Sequence, residues 1–479
     1  MTPLSALKTS AKTLRRKAAT ARRMPGLLEA RISDPWLGFA AGHGQIAVAA
    51  ALLRQQIKTI KEADVPASQR LTALMLPKPG LVEDVMASFG ADPRFRLLVM
   101  RREAVKAMAR SFFPATVDDN TYGAGEPAIE AGKAPYRALW TQVWRRLNAD
   151  LGIDAILTGN FSYFAEQELA AAAEACGTAF IALHKENLKT PGLEPLYEEI
   201  YRDRKGPFQG SLIATYNEIE RGIQDRAGTF PAARIAVPGM PRLDHIHHWR
   251  ERHAGQDVSR SDRPTVLFMS YNEKTGCPYI GRKTDQGQER LAPELEAVRW
   301  NELVVAGHGA VAELARRHPD IDVVIKSKDH DWAFGALRRG LGADFQPPEN
   351  LKIVSGGDPF ELIVAADVLS GFNSTSLFEA LAANVPIVVP RFAEAGEARF
   401  QPYVVDLGAA AAQPDRPDDY IDVLAKLARE RSSRRRAGKL GAAQQSMLQH
   451  WVGNPDGRAG TRTVELVASH LRSRREAVS

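Results

Sequence analysis

Ala366 to Pro390 reads ADVLSGFNSTSLFEALAANVPIVVP, and it packs a strand, a polar turn, a helix start and a second strand into 25 residues. The apolar run ending at Leu369 exits through Gly371, which permits a tight turn. Asn373, Ser374, Thr375 and Ser376 then offer side-chain donors and caps to the start of a helix that carries Glu379, and Val385-Pro386 opens the next apolar run. Amides, hydroxyls and the positive end of a helix dipole converge at such a turn, which suits a diphosphate. Glu379 lies about one turn beyond Thr375 and Ser376, where its carboxylate reaches the hydroxyls of a sugar or ribose beside that phosphate. The competing reading is a plain capping box of Ser376 with Glu379.

The same unit recurs on both sides of this stretch. Leu71 to Leu76, Arg96 to Met100, Asp154 to Thr158, Ala179 to Leu183, Leu212 to Thr215 and Arg234 to Val237 are short apolar runs, separated by helical patterns such as Arg102 to Arg110 and Glu166 to Cys176. The runs are continuously apolar, as strands covered on both faces are, so a parallel sheet with crossover helices follows. HWRERHAGQDVSRSDR, from His248 to Arg263, has no sustained apolar period. A second strand series then starts at Thr265 to Met269 and continues through Ile321 to Ile325, Leu351 to Val354, Asp367 to Leu369, Pro386 to Val389 and Tyr403 to Val405. The expected organisation is a basic arm over 1–31, a first α/β domain over 32–250, a linker over 251–263 and a second α/β domain over 264–479, whose C-terminal region either caps that domain or crosses back to the first.

Composition sets the outer bounds. Residues that are 44% hydrophobic and 25% charged describe an ordinary globular protein, and 479 of them exceed one ordinary core. Two cysteines, Cys176 and Cys277, exclude a disulfide framework and a Cys-rich zinc site, and fit a reducing cytoplasm. The net charge of +6 is modest, and the aromatics do not interleave with the basic arm, so no nucleic-acid partner is expected. Residues 1–31 nevertheless hold eight Lys and Arg against Glu29 alone, a distribution suited either to peripheral docking on an anionic membrane surface or to a solvated tail. The uncharged run Trp36 to Leu53 is broken by Gly38, Gly42 and Gly44. Ile46, Ala49, Leu53, Ile57 and Ile60 continue it with helical spacing, which predicts an amphipathic helix and not a membrane span.

The turn at Asn373 to Glu379, with Val385-Pro386 behind it, resembles the donor domain of GT-B glycosyltransferases, especially bacterial surface-carbohydrate transferases and the related CDP-glycerol glycerophosphotransferases. The resemblance implies two Rossmann-like parallel-sheet domains facing a cleft. It also implies that Ser374, Thr375 and Ser376 contact donor phosphates while Glu379 contacts nucleotide or sugar. Lys326, at the end of a strand and followed by Ser327, Lys328, Asp329 and His330, is similar to the Lys-x-His-Pro sequence of those families, with longer spacing and no proline. Lys326 and His330 are therefore phosphate candidates, with exposed surface charge as the competing account. Gly239-Met240-Pro241-Arg242-Leu243-Asp244 is similar to the Gly-x-Pro-Arg-x-Asp signature of surface-polymer transferases, where Arg242 serves as a phosphate clamp or pairs with Asp244 across a hinge.

Acid–base chemistry is expected after the strand Ala179 to Leu183, from His184 or Glu186, with Lys185 beside them and Asn160 at the neighbouring strand end. Gly42-His43-Gly44-Gln45-Ile46-Ala47 lacks the preceding strand that a dinucleotide fingerprint needs. In Gly276 to Thr284 an inserted Arg282 spoils a P-loop and leaves Arg282 and Lys283 as weak phosphate candidates. His245, His247, His248 and His253 lack a recognised metal-ligand spacing, and Asp320-Ile321-Asp322 precedes a strand instead of following it. These readings together predict a metal-independent glycosyltransferase of surface-polysaccharide synthesis with no cofactor, a nucleotide-sugar donor and a glycan or lipid-linked acceptor, cytoplasmic or peripheral at the inner membrane face. Glycerophosphotransferase, nucleotide-sugar epimerase and non-catalytic scaffold are the alternatives.

Overall fold

The computed structural model describes residues 26–256, 262–277, 280–432 and 438–477; most of the basic arm and residues 257–261 of the expected linker lie outside the described residues. In the first domain the strands are β1 (Lys58–Lys61), β2 (Leu71–Met75), β3 (Phe95–Val99), β4 (Ala155–Thr158), β5 (Ala179–Leu183), β6 (Leu212–Ala214) and β7 (Ile235–Ala236). They form one sheet in the order β1-β3-β2-β4-β5-β6-β7, parallel except for β1. The second domain contributes β8 (Thr265–Met269), β9 (Gly281–Thr284), β10 (Gly287–Arg290), β11 (Asp322–Ser327), β12 (Leu351–Ser355), β13 (Val368–Ser370) and β14 (Ile387–Val388). Its parallel sheet runs β12-β11-β8-β13-β14, and β9 and β10 form a separate hairpin. This is the expected architecture of two facing α/β domains.

The sequence dictates the central strands. β2 (LTALM) and β5 (AFIAL) are buried at every position, because helices cover both faces of the sheet. In both sheets the order reverses beside a first strand: β2 lies between β3 and β4, and β8 lies between β11 and β13. A crevice opens at the carboxyl end of such a reversal point, where open α/β sheets bind their ligands.

Two expectations require correction. The helix that begins at Ile46 stops at Gln56, and Ile57 is already extended; Lys58, Thr59 and Lys61 pair antiparallel with β3 as an edge strand, with a bulge at Ile60. A β-branched pair beside an open strand edge wins over helical spacing there, and Lys58 and Lys61 flank it as edge lysines do. Tyr403 to Val405 is not a strand: it follows the 3₁₀ segment Ala398–Tyr403, and Asn373 clamps it, donating from Nδ2 to the Tyr403 carbonyl at 2.9 Å and accepting from the Val405 amide at 2.8 Å. The C-terminal region takes the second of its two expected courses and crosses back to the first domain. The helix Ala459–Glu476 buries Val464, Val467, Ala468 and Leu471 against Leu81, Val85, Phe89 and the first sheet. That i, i+3, i+4, i+7 stripe needs an apolar partner and finds it in the first domain.

Asp244 anchors this crossing. Its Oδ1 accepts from Asn454 Nδ2 at 2.7 Å and the Ala459 amide at 3.1 Å, and Oδ2 accepts from the Gly460 amide at 2.8 Å. A buried carboxylate thus satisfies the opening amides of the last helix. Asp244→Ala leaves those donors unpaired and is expected to lower unfolding free energy by about 3 kcal/mol in urea denaturation; an unchanged midpoint would show that the crossing helix does not depend on it.

Candidate active site

The loops after the strand ends build the cleft. On the first domain, β2 runs into Pro77-Lys78-Pro79-Gly80, β4 into Gly159-Asn160, β5 into His184 to Lys189 and β6 into Tyr216. Lys274 and Gly276 follow β8 on the second domain, and Asn373 to Ser376 follow β13. A cavity of about 340 Å³ lies between the two sets, lined by Lys185, Glu186, Tyr216, Lys274, Gly276 and Thr375 among others. That volume is at the lower end of the range for small-molecule sites. The hairpin of β9 and β10 reaches across to the first domain: Asn120 Nδ2 donates to the Gly281 carbonyl at 2.5 Å, and the Lys283 amide donates to Asp118 Oδ2 at 2.7 Å. Arg282 pairs with Glu289 at 2.5 Å, so the approximate P-loop is a bridging hairpin.

Arg242 stands at the junction of several walls. Its Nη1 donates to the Gly80 carbonyl at 3.3 Å and lies 3.7 Å from Asp84 Oδ2, and its guanidinium sits 5.5 Å from the Tyr216 ring centroid. Buried Asp84 also accepts from the Arg242 amide at 3.1 Å and from the Tyr216 hydroxyl. Gly80, at φ 86°, has no room for a side chain, because a Cβ would lie 2.7 Å from Arg242 Nη1. Since Asp244 is engaged with the last helix, the expected hinge pair of Arg242 with Asp244 does not form.

Of the β5 loop residues, Glu186 faces the cleft and His184 does not. His184 is fully enclosed, with its Nε2 3.0 Å from Glu220 Oε1. Lys189 donates to the same Glu220 and completes a buried structural cluster. His184 touches no cleft space in this arrangement. Glu186, half-exposed, accepts from Asn160 Nδ2 at 3.2 Å and lies 3.5 Å from Lys185 Nζ and 3.8 Å from Lys78 Nζ. Desolvation raises its carboxyl, but His184, Lys185, Lys78 and Lys189 outweigh it and hold the group below the ordinary glutamate value.

The second wall is arranged differently. Thr375 lines the cavity, while Ser374 Oγ and Ser376 Oγ bond each other at 2.7 Å with Ser376 buried. Both ends of the Asn373 amide are occupied by the 403–405 clamp, so it shapes the turn, and Gly276 packs so closely that a Cβ there would run into Asn373. The Ser376–Glu379 capping box is absent: Thr375 is the N-cap and its side chain caps nothing. Glu379 feels burial first, which raises its carboxyl, then the opposing Arg242 charge, then Asp358; the balance pushes it up to about 7. Lys326 is buried, with its ammonium donating to the Gly356 carbonyl at 2.6 Å and the Ser327 carbonyl at 3.2 Å. His330 is exposed and stacks on Trp332 at 5.9 Å. Neither Lys326 nor His330 lines the cavity. Among the described residues no group of three or more His, Cys, Asp or Glu side chains is placed to hold a metal.

Sequence reading missed Lys78, Gly80, Asp84 and Tyr216. A Pro-Lys-Pro-Gly loop directly after a buried strand was the available signal for the first two. Asp84 and Tyr216 carried none, since a helix aspartate and a tyrosine after a strand are commonplace.

No family model and no curated protein matches the chain. Among solved structures, the chain is similar to a Listeria monocytogenes protein described as a UDP-N-acetylglucosamine 2-epimerase (13% identity, 84% of this chain, 97% of that one, TM-score 0.49). It is also similar to the glycosyltransferase of kitacinnamycin (13%, 85% and 98%, TM-score 0.42) and to a variant of the wall teichoic acid polymerase TagF (11%, 97% and 99%, TM-score 0.43). At such identities and scores these likenesses carry no functional argument.

The raised Glu379 carboxyl has a measurable consequence. Its folded pKa of about 7 lies above the reference of 4.5, so its contribution to stability is complete below pH 4.5 and is lost as pH rises through 7. The loss amounts to roughly 3 kcal/mol at most. Glu379→Gln cannot ionise and is expected to lack this part of the decline when unfolding free energies are compared between pH 5 and pH 8. Parallel pH profiles for the two proteins would contradict it.

Proposed function

We propose that this protein is a glycosyltransferase that moves a sugar from a nucleotide-activated donor to the hydroxyl of a glycan or lipid-linked acceptor in surface-carbohydrate synthesis. The observation that carries this reading is a pair of carboxyls on the two domains pushed in opposite directions: Glu186, which lines the cavity, is kept ionised by cations, and Glu379, on the helix that starts at the cavity-lining Thr375, is pushed up to about 7, near its midpoint at neutral pH. Environments that push two titratable groups apart assign their acid and base roles. The strand-end turn at 371–376 and the Gly239 to Asp244 segment, on which the resemblance to surface-polymer transferases rests, are built into the same cleft.

In this mechanism Glu186 Oε accepts the proton of the acceptor hydroxyl, whose oxygen forms the new bond to the anomeric carbon of the donor sugar. The bond from that carbon to the phosphate oxygen breaks, and the electron pair leaves with the nucleoside diphosphate. Asn160 fixes the rotamer of Glu186 through its 3.2 Å hydrogen bond. Lys185, Lys274, Arg242 and the Thr375 hydroxyl meet the charge growing on the leaving group, which makes the step independent of a metal. Glu379, near its midpoint at neutral pH, can both donate to and accept from sugar hydroxyls.

Calorimetric titration with UDP-, CDP-, CMP- and GDP-linked donors tests the reading. One donor class is expected to bind, Thr375→Ala and Lys185→Ala to weaken it, and Glu186→Gln to keep it while turnover falls by 10²–10⁴-fold, roughly what a general base contributes. Absence of binding to every donor would sink the proposal. A sugar nucleotide altered without an acceptor would make the protein an epimerase, and glycerol phosphate transfer from CDP-glycerol would make it a glycerophosphotransferase.

A further inference from the structure

The helix Gly26–Gly42 turns its residues at i, i+3 and i+7 outward at its C-terminal end, and these are Trp36, Phe39 and, just past the end, His43. Trp36 is 62% exposed, the highest of any large apolar side chain among the described residues, and Phe39 is 48% exposed. The rings form a continuous surface: Trp36 meets Phe39 edge-on at 6.2 Å, and Phe39 stacks with His43 at 4.0 Å. The opposite face of the helix is well packed. Leu37, Ala40 and Ala41 are buried, and Gly38 lies against the Ala107 carbonyl, where a Cβ would sit 3.1 Å from it. From Ser33 to Gly42 the aromatic exposure lies on the face opposite the packed residues Leu37, Ala40 and Ala41, and nothing else among the described residues covers it.

Two further observations say what the face meets. Residues 1–25, directly before the helix, contain Lys8, Lys12, Arg15, Arg16, Lys17, Arg22 and Arg23 and no Asp or Glu. A run of cations preceding, in sequence, a helix with exposed aromatic rings complements a surface that is anionic outside and apolar beneath, as a bilayer of acidic lipids is. The face also has a defined position. Asp34, two residues before Trp36, pairs with Arg101 at 3.0 Å, and the adjacent Arg102 stacks 3.8 Å from the Tyr163 ring that also receives Lys78. The start of the exposed face is thereby tied to the cleft rim on the Glu186 side.

We infer that Trp36, Phe39 and His43 form a docking face for an anionic lipid bilayer, which seats the first domain with its cleft rim toward the headgroups. The aromatic rings enter the interfacial layer, and the basic residues before the helix hold the protein to acidic headgroups. This inference stands apart from the transferase reading, since docking requires no donor or turnover.

Co-sedimentation of the full chain with phosphatidylcholine vesicles, with and without phosphatidylglycerol, tests it. Binding is expected to need phosphatidylglycerol and to fall with added salt. Replacing both exposed rings, Trp36→Ser with Phe39→Ser, is expected to reduce partitioning at least about tenfold while circular dichroism and melting stay unchanged, because neither ring is in the core. Arg15→Glu with Arg16→Glu, a variant that leaves both rings in place, is expected to weaken binding independently. Failure of the wild-type chain to bind acidic vesicles overturns the inference, as does equal binding by the ring variant. A wild-type dimer in sedimentation velocity that the ring variant converts to monomer also overturns it, by making the face a contact between two copies of the chain.

Discussion

The position of the Arg242 guanidinium is the constraint on which the cleft depends. It is held by the Gly80 carbonyl, by Asp84 and by the Tyr216 ring, three groups supplied by the loop after β2, the helix Leu81–Phe89 and the segment after β6. The same charge acts on Glu379 from the other domain. A cation desolvated in this way costs free energy unless its partners are fixed. Asp84 is fixed by its bond from the Tyr216 hydroxyl, and Gly80 keeps the approach open by having no side chain. Two residues further along, Asp244 secures the last helix to the first domain, so the segment 239–244 orders both the cleft wall and the chain crossing.

Much of this fold was legible because buried parallel strands leave a plain signature. AFIAL is apolar at every position and TVLFM at all but Thr265, and the strands β5 and β8 have the predicted bounds. The edges were harder. KTIK carries no apolar run and continues a helical period, and only the open edge of β3 makes it a strand. Val464, Val467, Ala468 and Leu471 spell an amphipathic helix but not the domain whose face it covers, because periodicity records that a stripe is buried and not against what.

The site was legible at the level of loops and not of side chains. Glu186 and Thr375, each in a loop after a strand's carboxyl end, line the cavity, whereas Arg242 and Glu379 do not. Orientation within a loop is another matter. His184 and Glu186 are two residues apart, yet the first is sealed against Glu220 and the second stands half in solvent, because Lys189 folds back to donate to the Glu186 carbonyl and to Glu220. Lys326 shows the same effect: its ammonium satisfies the carbonyls of Ser327 and Gly356. Asn373, the most suggestive polar residue of the opening stretch, takes φ 44° and uses its amide to pin the neighbouring loop. A polar side chain near a strand end thus divides between ligand and backbone according to which carbonyls the following loop leaves unpaired, and that is a tertiary fact.

The opposed states of Glu186 and Glu379 follow from the same architecture. Glu186 extends from a loop that itself carries His184, Lys185 and Lys189, and Lys78 approaches it from the loop after β2; their summed attraction exceeds its desolvation. Glu379 projects from a short helix packed with Phe378, Ala380 and Leu381 in the second core, so its surroundings are apolar and Arg242 answers only part of the burial. Loop and helix supply the two environments because every parallel strand of an α/β sheet is followed by one and then the other. Setting two such sheets with their carboxyl ends opposed brings a loop of one against a helix start of the other. A carboxylate held ionised at the cavity and a carboxyl near its midpoint at neutral pH, about one helical turn beyond the cavity-lining Thr375, thereby come from opposing domains.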